Sequence, residues 1–244
     1  MRKVIGQKIY FAFLTLFSLF CLFSPEQAHS NPLNQWKVSC TVDKGSQTKS
    51  GNVLTFKTSK NRCKGGTFSQ RSEIKSNHIS PKHQGTYEFR STIAFKSSAF
   101  EKFDIFQIHD SRSGCAPPLK LTVLKDASLT FTSHYQTSDD KTAANKKKLK
   151  CDNVLSLTTK YSRQKLYKSG VAQDLIVRVA FNGDGGFKVS VFLDGKFQME
   201  GAYTPSQAGD HYKSPHFYFK HGVYSKNMFD YTLTSADMKV VRVK

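Results

Sequence analysis

The sequence has few acidic residues, no internal repeat and, beyond its first 30 residues, no long helical pattern of apolar residues. Its 244 residues include 18 Asp and Glu against 37 Lys and Arg, which gives a net charge of +19. Such an excess indicates little about the fold, but it attracts polyanions and speeds their encounter with the protein. Without helical periodicity or repeats, a helical bundle or a repeat protein is excluded, and a β-rich domain is favoured.

Metal-ligand motifs are also missing. The cysteines show no C-x-x-C spacing and no His lies at ligand spacing, so we expect no zinc site, no other metal and no cofactor. Beyond residue 30 the cysteines are Cys40, Cys63, Cys115 and Cys151, and this even number favours two disulfides in an oxidising compartment. Of the three possible pairings we favour Cys40–Cys63 with Cys115–Cys151, because neighbours along a β meander are often neighbours in space.

The N-terminus has the layout of a secretory signal peptide. Three basic residues precede an apolar stretch at residues 9–23, and A-H-S at residues 28–30 matches a cleavage site. A membrane anchor is the alternative, but the apolar stretch is short for a membrane span. We expect residues 1–30 to be removed and residues 31–244 to form one secreted or periplasmic domain, monomeric and free of the membrane.

Short strand-like runs recur along residues 31–244. Many alternate apolar and polar residues, as residues 175–181 do. Turn sequences separate the runs, among them N-G-D-G-G at residues 182–186 and D-G at residues 194–195. Many short strands with glycine-rich turns predict an all-β fold, a sandwich or jelly roll.

A basic stretch at residues 138–150 stands apart because it is rich in lysine and poor in apolar residues. One interpretation is a solvated surface loop. The other is a mobile basic flap over a groove that holds an anionic chain.

Three segments that are far apart in the sequence share one layout. They are R-S-E-I-K at residues 71–75, Q-I-H at residues 107–109 and Y-F-K-H-G-V-Y at residues 218–224. Successive side chains of a strand point to opposite faces, so each segment places its polar groups on one face. The residues that share a face are Arg71, Glu73 and Lys75, then Gln107 and His109, then Tyr218, Lys220 and Tyr224.

These side chains are suited to hold a carboxylate and to move a proton. Arg71 and Gln107 can hydrogen-bond the carboxylate of a uronic acid, and neutralising that charge makes its C5 proton easier to remove. His109 and Tyr224 can act as base and acid, so that a glycosidic bond is broken by β-elimination without a metal. Singly, each residue has an ordinary interpretation as packing or, around Glu73, as an ion pair of little net worth.

The three segments resemble the signature regions of the alginate lyases of polysaccharide lyase family 7. That family shows R-S/T-E-L-R, then Q-I/V-H, then Y-F-K-A-G-V-Y-N-Q, and the resemblance extends from about residue 50 to the C-terminus. It implies a β-jelly roll of the concanavalin or lectin-like type, with a concave substrate groove. It also implies a lyase that cleaves an acidic polyuronide, with alginate as the main expectation, and leaves unsaturated uronate ends.

The resemblance also implies residue roles. Arg71 and Gln107 would neutralise the uronate carboxylate and His109 would act as base on one uronate epimer. Tyr224 would be the general acid, and on the other epimer both acid and base. The other polar residues of the motifs would line the groove as substrate-binding residues: Glu73, Lys75, Tyr218 and Lys220.

The sequence departs from the family pattern at several positions. Lys75 replaces an Arg and loses its planar fork, while His221 replaces a small Ala and is expected to face away from the groove. S-K at residues 225–226 replaces N-Q. In the family, Ile between Gln and His is associated with guluronate-containing blocks, which extends to Ile108 as an expectation; glucuronan or another polyuronide is the alternative substrate.

Two rival functions come from other classes of protein. One is a non-catalytic carbohydrate-binding module on the same scaffold, since fold does not determine function. The other is a secreted basic protein that binds nucleic acid or an anionic surface. Neither needs a base and an acid, so the presence of both His109 and Tyr224 favours the enzyme. The expected partner is an acidic polysaccharide rather than nucleic acid.

Overall fold

The computed structural model describes most of the chain beyond residue 30. The described residues are 31–60, 69–99, 101–112, 117–133, 135–139, 149–152, 155–160, 164–205 and 213–243. Within them, no helix is long and apolar enough to cross a membrane.

Strands make up most of the described chain, and its one helix is a short 3-10 helix at Pro32–Asn34. The strands are β1 (Trp36–Val38), β2 (Gln47–Ser50), β3 (Val53–Lys57), β4 (Gln70–Ser76), β5 (Gln84–Lys96), β6 (Phe103–His109), β7 (Leu119–Val123), β8 (Leu129–Phe131), β9 (Tyr135–Asp139), β10 (Leu149–Asp152), β11 (Leu155–Lys160), β12 (Ser169–Asn182), β13 (Phe187–Leu193), β14 (Lys196–Tyr203), β15 (Tyr218–Ser225) and β16 (Thr232–Arg242).

Two antiparallel sheets contain almost all of these strands. The first has six strands in the order β1-β4-β15-β6-β7-β8, and the second has eight in the order β11-β14-β13-β12-β5-β16-β3-β2. Strands β9 and β10 pair separately. The spatial order of strands in the six-stranded sheet differs from their order along the chain, because β15 is inserted between β4 and β6. The expectation of an all-β jelly-roll sandwich is therefore confirmed.

The core lies between the two sheets and is rich in aromatic side chains. Phe89 of the eight-stranded sheet packs on Phe106 of the six-stranded sheet with 5.0 Å between ring centroids, and Phe106 packs on Phe219 at 5.1 Å. All three side chains are fully buried. Burial of one such ring contributes roughly 1.5–3 kcal/mol, so the inward faces of β5, β6 and β15 hold the sheets together.

The predicted strands and turns largely coincide with those observed. β12 (Ser169–Asn182) contains the predicted run at residues 175–181 and extends it at both ends. The D-G pair joins β13 to β14, with φ of 50° at Asp194 and 70° at Gly195, which is the left-handed conformation that a two-residue hairpin turn requires. The edge strands β1 and β2 were not predicted, because they are short and mostly exposed.

His221 points into the core, as expected from its position in the third segment. It is fully buried; its Nδ1 donates to the Ile105 carbonyl oxygen at 3.0 Å, and its Nε2 accepts a hydrogen bond from Ser235 Oγ at 2.6 Å. Burial lowers the pKa of His221 to about 4. The imidazole is thus neutral and serves as a polar link between the sheets.

This burial predicts a loss of stability in mild acid. Below the unfolded-state pKa of about 6.5, His221 binds a proton in the unfolded chain but stays neutral in the folded protein. The free energy of unfolding should therefore fall by about 2 kcal/mol between pH 7 and pH 5 from this group alone. Urea unfolding of the parent and of His221→Gln at both pH values measures this. The variant should lose about 2 kcal/mol less than the parent, and equal losses would contradict the assignment.

Several predictions fall on residues outside the described part of the chain. These are the signal peptide at residues 1–30, most of the basic stretch at residues 138–150, and Cys63 and Cys115. Cys40 takes part in a disulfide, and Cys151 lies in β10. The two proposed pairings stay predictions.

Candidate active site

The three polar segments form three adjacent strands. β15 lies between β4 and β6 and runs antiparallel to both. The register places opposite one another Tyr224 and Arg71, Lys220 and Lys75, Lys220 and Gln107, and Tyr218 and His109. We call the face of this sheet that carries Arg71, Gln107, His109 and Tyr224 the motif face. It is the face directed away from the core.

Glu73 is the centre of the polar network on this face. Its side chain is 1% exposed and its Oε1 accepts a hydrogen bond from Gln107 Nε2 at 2.5 Å. Its Oε2 accepts one from Lys220 Nζ at 2.6 Å and lies 3.5 Å from Arg71 Nε. One buried carboxylate thus links all three strands, so Glu73 is placed to orient its neighbours rather than to contact a ligand.

Lys220 is held as deeply as Glu73. It is 3% exposed, and burial lowers its pKa while the adjacent Glu73 carboxylate opposes that change. A buried ammonium is tolerable only next to an opposite charge. The Lys220–Glu73 pair is therefore a structural requirement of the motif face.

Arg71 and Tyr224 form a stacked pair across β4 and β15. The Arg71 guanidinium carbon lies 4.4 Å from the centroid of the Tyr224 ring, and Lys220 Nζ lies 5.6 Å from the same centroid. The Arg71 side chain is 19% exposed, so it reaches the surface of the motif face. Two positive charges therefore lie close to the Tyr224 ring.

Gly222 permits the strand geometry that places Tyr224. Its φ is 136°, and a Cβ at this position would lie 2.2 Å from the Ser72 carbonyl oxygen. The pairing of β15 with β6 shifts register between His221 and Tyr224. Such an irregularity changes the direction of the following side chain, so only glycine fits at position 222, two residues before Tyr224.

Two neighbouring backbone amides and the ring of Tyr218 hold His109 in place. Its Nδ1 accepts hydrogen bonds from the backbone N–H groups of Asp110 and Ser111, both at 2.9 Å. Its ring stacks on Tyr218 with centroids 5.3 Å apart. Burial, together with the positive charges of Lys220 and Arg71, lowers the pKa of His109 to about 4. The ring is therefore neutral at neutral pH.

The remaining predicted site residues occupy the motif face in different ways. Tyr218 is 6% exposed and its hydroxyl accepts a hydrogen bond from Ser111 Oγ at 3.3 Å. Lys75 is partly exposed and lies opposite Lys220 in the register. Ile108 is fully buried in the core, so it cannot contact a ligand on the motif face.

One polar group of this face was missed by the sequence analysis. Asp104 is 2% exposed; its Oδ2 lies 2.8 Å from Lys120 Nζ, and its Oδ1 accepts a hydrogen bond from Thr122 Oγ1 at 2.6 Å. Burial raises the pKa of Asp104, and Lys120 opposes the rise. The alternation in L-K-L-T-V at residues 119–123 was the available signal, since it places Lys120 and Thr122 on one face.

A second missed feature lies beside Tyr218. The rings of His78 and His216 stack with centroids 4.0 Å apart, and His78 lies 4.8 Å from the Tyr218 ring. His216 Nε2 is 3.1 Å from Ser111 Oγ. Neither histidine belongs to the three segments. His216 comes two residues before β15 in the chain, whereas only the fold brings His78 to this end of β15.

Comparison with protein families identifies the chain. The family model described as Polysaccharide lyase matches residues 23–241. The chain belongs to this polysaccharide lyase family. It is therefore an enzyme, and the rival interpretation as a non-catalytic binding module is not supported. Among curated proteins no relative was found.

Solved structures resemble this polysaccharide lyase in fold. An alginate lyase of polysaccharide lyase family 7 superposes with a TM-score of 0.53 at 15% identity, covering 87% of this chain and 96% of that chain. An alginate lyase from Pseudomonas aeruginosa gives 0.55 at 12% identity, over 86% and 99%. One from Corynebacterium sp. gives 0.52 at 15% identity, over 86% and 95%. At these identities the similarity shows the jelly-roll sandwich alone.

Proposed function

We propose that this polysaccharide lyase cleaves an acidic polyuronide by β-elimination without a metal. The favoured substrate is alginate. The observation that carries the proposal is the position of Arg71, Gln107, His109 and Tyr224 on three adjacent strands, around the buried Glu73–Lys220 pair. We further propose that the chain belongs with polysaccharide lyase family 7 and acts outside the cytoplasm.

The first step of the proposed reaction is neutralisation of the uronate carboxylate. Arg71 offers a planar guanidinium whose position is set by the Tyr224 ring and Glu73. Gln107 donates one N–H of its amide to Glu73 and has a second N–H for the substrate. Donors held in place before charge develops contribute strongly to catalysis. The buried Glu73 carboxylate holds both donors in place, which explains why the motif contains an acidic residue.

The second step transfers a proton and breaks the glycosidic bond. A base on the motif face removes the proton from C5, and the electrons of that C–H bond form the C4–C5 double bond. The C4–O4 bond breaks, its electron pair leaves with O4, and Tyr224 supplies the proton that O4 takes up. The products are a chain with a new reducing end, which carries O4 as its anomeric hydroxyl, and a chain whose new non-reducing end is an unsaturated uronate, with no water consumed.

Alginate is favoured by the fold comparison and by charge. The solved structures with TM-scores above 0.5 named above are alginate lyases, and the net charge of +19 favours an anionic polymer. A disulfide at Cys40 and the signal-like N-terminus support action in an oxidising compartment. A soluble acidic polysaccharide outside the cell has both the negative charge and the location that these observations favour.

A panel of polymers tests the proposal. The protein would be mixed with polymannuronate, polyguluronate, alternating alginate, glucuronan and heparin, and ultraviolet absorbance of unsaturated uronate would be followed. We expect product from at least one alginate block and none from heparin. If every polymer stays intact in the presence of folded protein, the proposed function is wrong.

Arg71 should be sensitive to a substitution that conserves its charge. A single ammonium cannot reproduce two parallel N–H bonds to a carboxylate or the stacking on Tyr224. We therefore expect Arg71→Lys to lower kcat/KM by about 100-fold, the loss typical for one preorganised donor. Lys75→Arg, on the same strand and face, is the matched control and should keep the parental rate within a few-fold. Similar rates for Arg71→Lys and the parent would show that Arg71 supplies only positive potential.

A further inference from the structure

Two histidines that the proposed reaction does not use lie at the rim of the motif face. The rings of His78 and His216, which we call the histidine pair, are parallel within 5° and have centroids 4.0 Å apart. His78 is exposed and His216 is partly exposed. Both rings contact Tyr218, at centroid distances of 4.8 and 5.9 Å. Because Tyr218 also stacks on His109, the histidine pair is continuous with the candidate active site.

The hydrogen bonds at this rim leave ring nitrogens available to a ligand. Ser111 Oγ donates its single proton to the Tyr218 hydroxyl, so in the contact of 3.1 Å with His216 the imidazole Nε2–H is the donor. Nδ1 of neutral His216 therefore keeps its lone pair. His78 forms no hydrogen bond with any residue that the structure describes. The pair can thus accept a proton without breaking an existing hydrogen bond.

Two lysines add positive charge beside the histidine pair. Lys37 of β1 lies directly opposite Lys75 of β4 in the register, so both point to the motif face. Neither ammonium forms a salt bridge within the described part of the chain, although like charges that face each other across strands destabilise a sheet. Partial burial, His216 and these two lysines lower the pKa of His78. Positive charge without a counter-charge attracts an anion.

Asp110, directly after β6, acts on the histidine pair from the other side. Partial burial lowers the pKa of His216, and the Asp110 carboxylate opposes this change. This carboxylate is 1% exposed and is engaged by Arg112 and Ser214, so it does not neutralise the two lysines. Both histidines are therefore neutral at neutral pH, in surroundings where one further anion would favour their protonation.

We propose that Lys37, His78 and His216 form a seat for a second carboxylate of the acidic polymer, beside the uronate that reacts, and that the histidine pair takes up one proton when this carboxylate binds. The proposal rests on the proposed function. A carboxylate next to an imidazole favours its charged form, and by reciprocity the proton strengthens carboxylate binding to the same extent. The proton comes from solvent and returns to it when the product leaves. A second proton would place two like charges 4.0 Å apart.

This linkage makes KM depend on pH in a definite direction. The free pair is neutral at neutral pH and the occupied pair is protonated, so affinity rises as the pH falls towards the lowered pKa of the free histidines. Uptake of one proton limits the gain to about tenfold per pH unit. We expect KM on alginate to be roughly three- to tenfold lower at pH 6 than at pH 7.5. Near-ultraviolet circular dichroism at both pH values verifies that the protein is folded.

Histidine substitutions test whether the pair is the origin of this dependence. His78→Gln combined with His216→Gln removes both titrating rings and keeps polar side chains of similar reach. The double variant should show the same KM at both pH values. His83→Gln is the matched control, because His83 also has a lowered pKa but precedes β5 of the other sheet. It should keep the parental dependence of KM on pH.

A lysine substitution tests the carboxylate seat separately from the proton. Lys37→Gln should raise KM about tenfold, as for the loss of one charge-assisted hydrogen bond, with kcat unchanged because Lys37 is remote from the reacting atoms. Lys49→Gln is the control of equal charge. Lys49 is exposed on β2 of the other sheet, and its replacement should leave KM at the parental value.

Calorimetry counts the proton directly. Tyr224→Phe protein, which is expected to leave the polymer intact, would be titrated with oligosaccharides of alginate at pH 7 in two buffers of different ionisation enthalpy. The difference in heat should correspond to uptake of up to about one proton for each oligosaccharide bound. Adding His78→Gln and His216→Gln should abolish the difference.

The outcomes that overturn this inference differ from those that overturn the proposed function. A parental KM that is equal at pH 6 and pH 7.5, a pH dependence that survives in the double histidine variant, or heats that do not depend on the buffer would each overturn the role of the histidine pair while leaving a polyuronide lyase. No unsaturated product from any polymer of the panel would overturn the proposed function, and the inference with it.

Discussion

Replacing Tyr224 by Phe is expected to abolish turnover. The change removes only the hydroxyl, so the ring that stacks under Arg71 at 4.4 Å is kept. The proton of the phenol is needed only as the glycosidic bond breaks, and its loss should appear in kcat rather than in substrate binding. We expect kcat to fall at least about 1,000-fold, within the range for general acid–base catalysis. Unsaturated product measured at saturating polymer gives kcat directly.

Tyr218→Phe is the matched control for this prediction. Tyr218 lies on the same strand and face, and its hydroxyl is also engaged, with Ser111 Oγ. The proposed mechanism gives Tyr218 no part in proton transfer, so we expect a loss within about tenfold, as for one neutral hydrogen bond. Retention of activity within a few-fold in Tyr224→Phe would show that another group protonates O4.

Replacing Glu73 by Gln is expected to destabilise the fold as well as the active site. The substitution keeps the shape but leaves Lys220, which is 3% exposed, without its counter-charge. Removing one partner of a buried ion pair costs about 3–5 kcal/mol. Urea unfolding at pH 7 should show this decrease in the free energy of unfolding.

A double variant distinguishes the cost of the unpaired charge from other effects. Glu73→Gln combined with Lys220→Met removes both charges, and paired removal is often neutral for stability. We expect the double variant to regain most of the lost stability but to remain impaired in kcat/KM, because Gln107 and Arg71 lose the carboxylate that orients them. If Glu73→Gln alone is as stable as the parent, burial of Lys220 does not require the Glu73 carboxylate.

The faces of the site strands were predictable because strand alternation is a local property. The period of two in residues 71–75 and 218–224 places Arg71, Lys220 and Tyr224 on one side and Phe219 and His221 on the other, as observed. The order of the strands was not predictable in this way. β15 follows β6 by more than 100 residues but is inserted between it and β4, and only packing of the whole sandwich decides this.

Electrostatic roles likewise depended on tertiary structure. From the sequence Glu73 had the appearance of one more polar residue of a ligand-binding face, whereas burial and three basic or amide neighbours make it the centre of the network. His109 was expected to be a base, which its residue type allows. The role as base stays a prediction. The structure adds that Nδ1 of His109 accepts from two backbone amides placed by the turn at Ser111, a geometry that residue type does not encode.

The sequence by itself determined the all-β class, the inward and outward faces of the strands and the set of residues able to hold a carboxylate and move a proton. These follow from alternation, turn residues and side-chain chemistry, all of which act over a few neighbouring residues. Only the tertiary structure decided that β15 joins the other two segments and that Glu73 and Lys220 are buried together. These depend on contacts between residues that are distant in the chain and on the loss of water around them, which makes an unpaired charge costly.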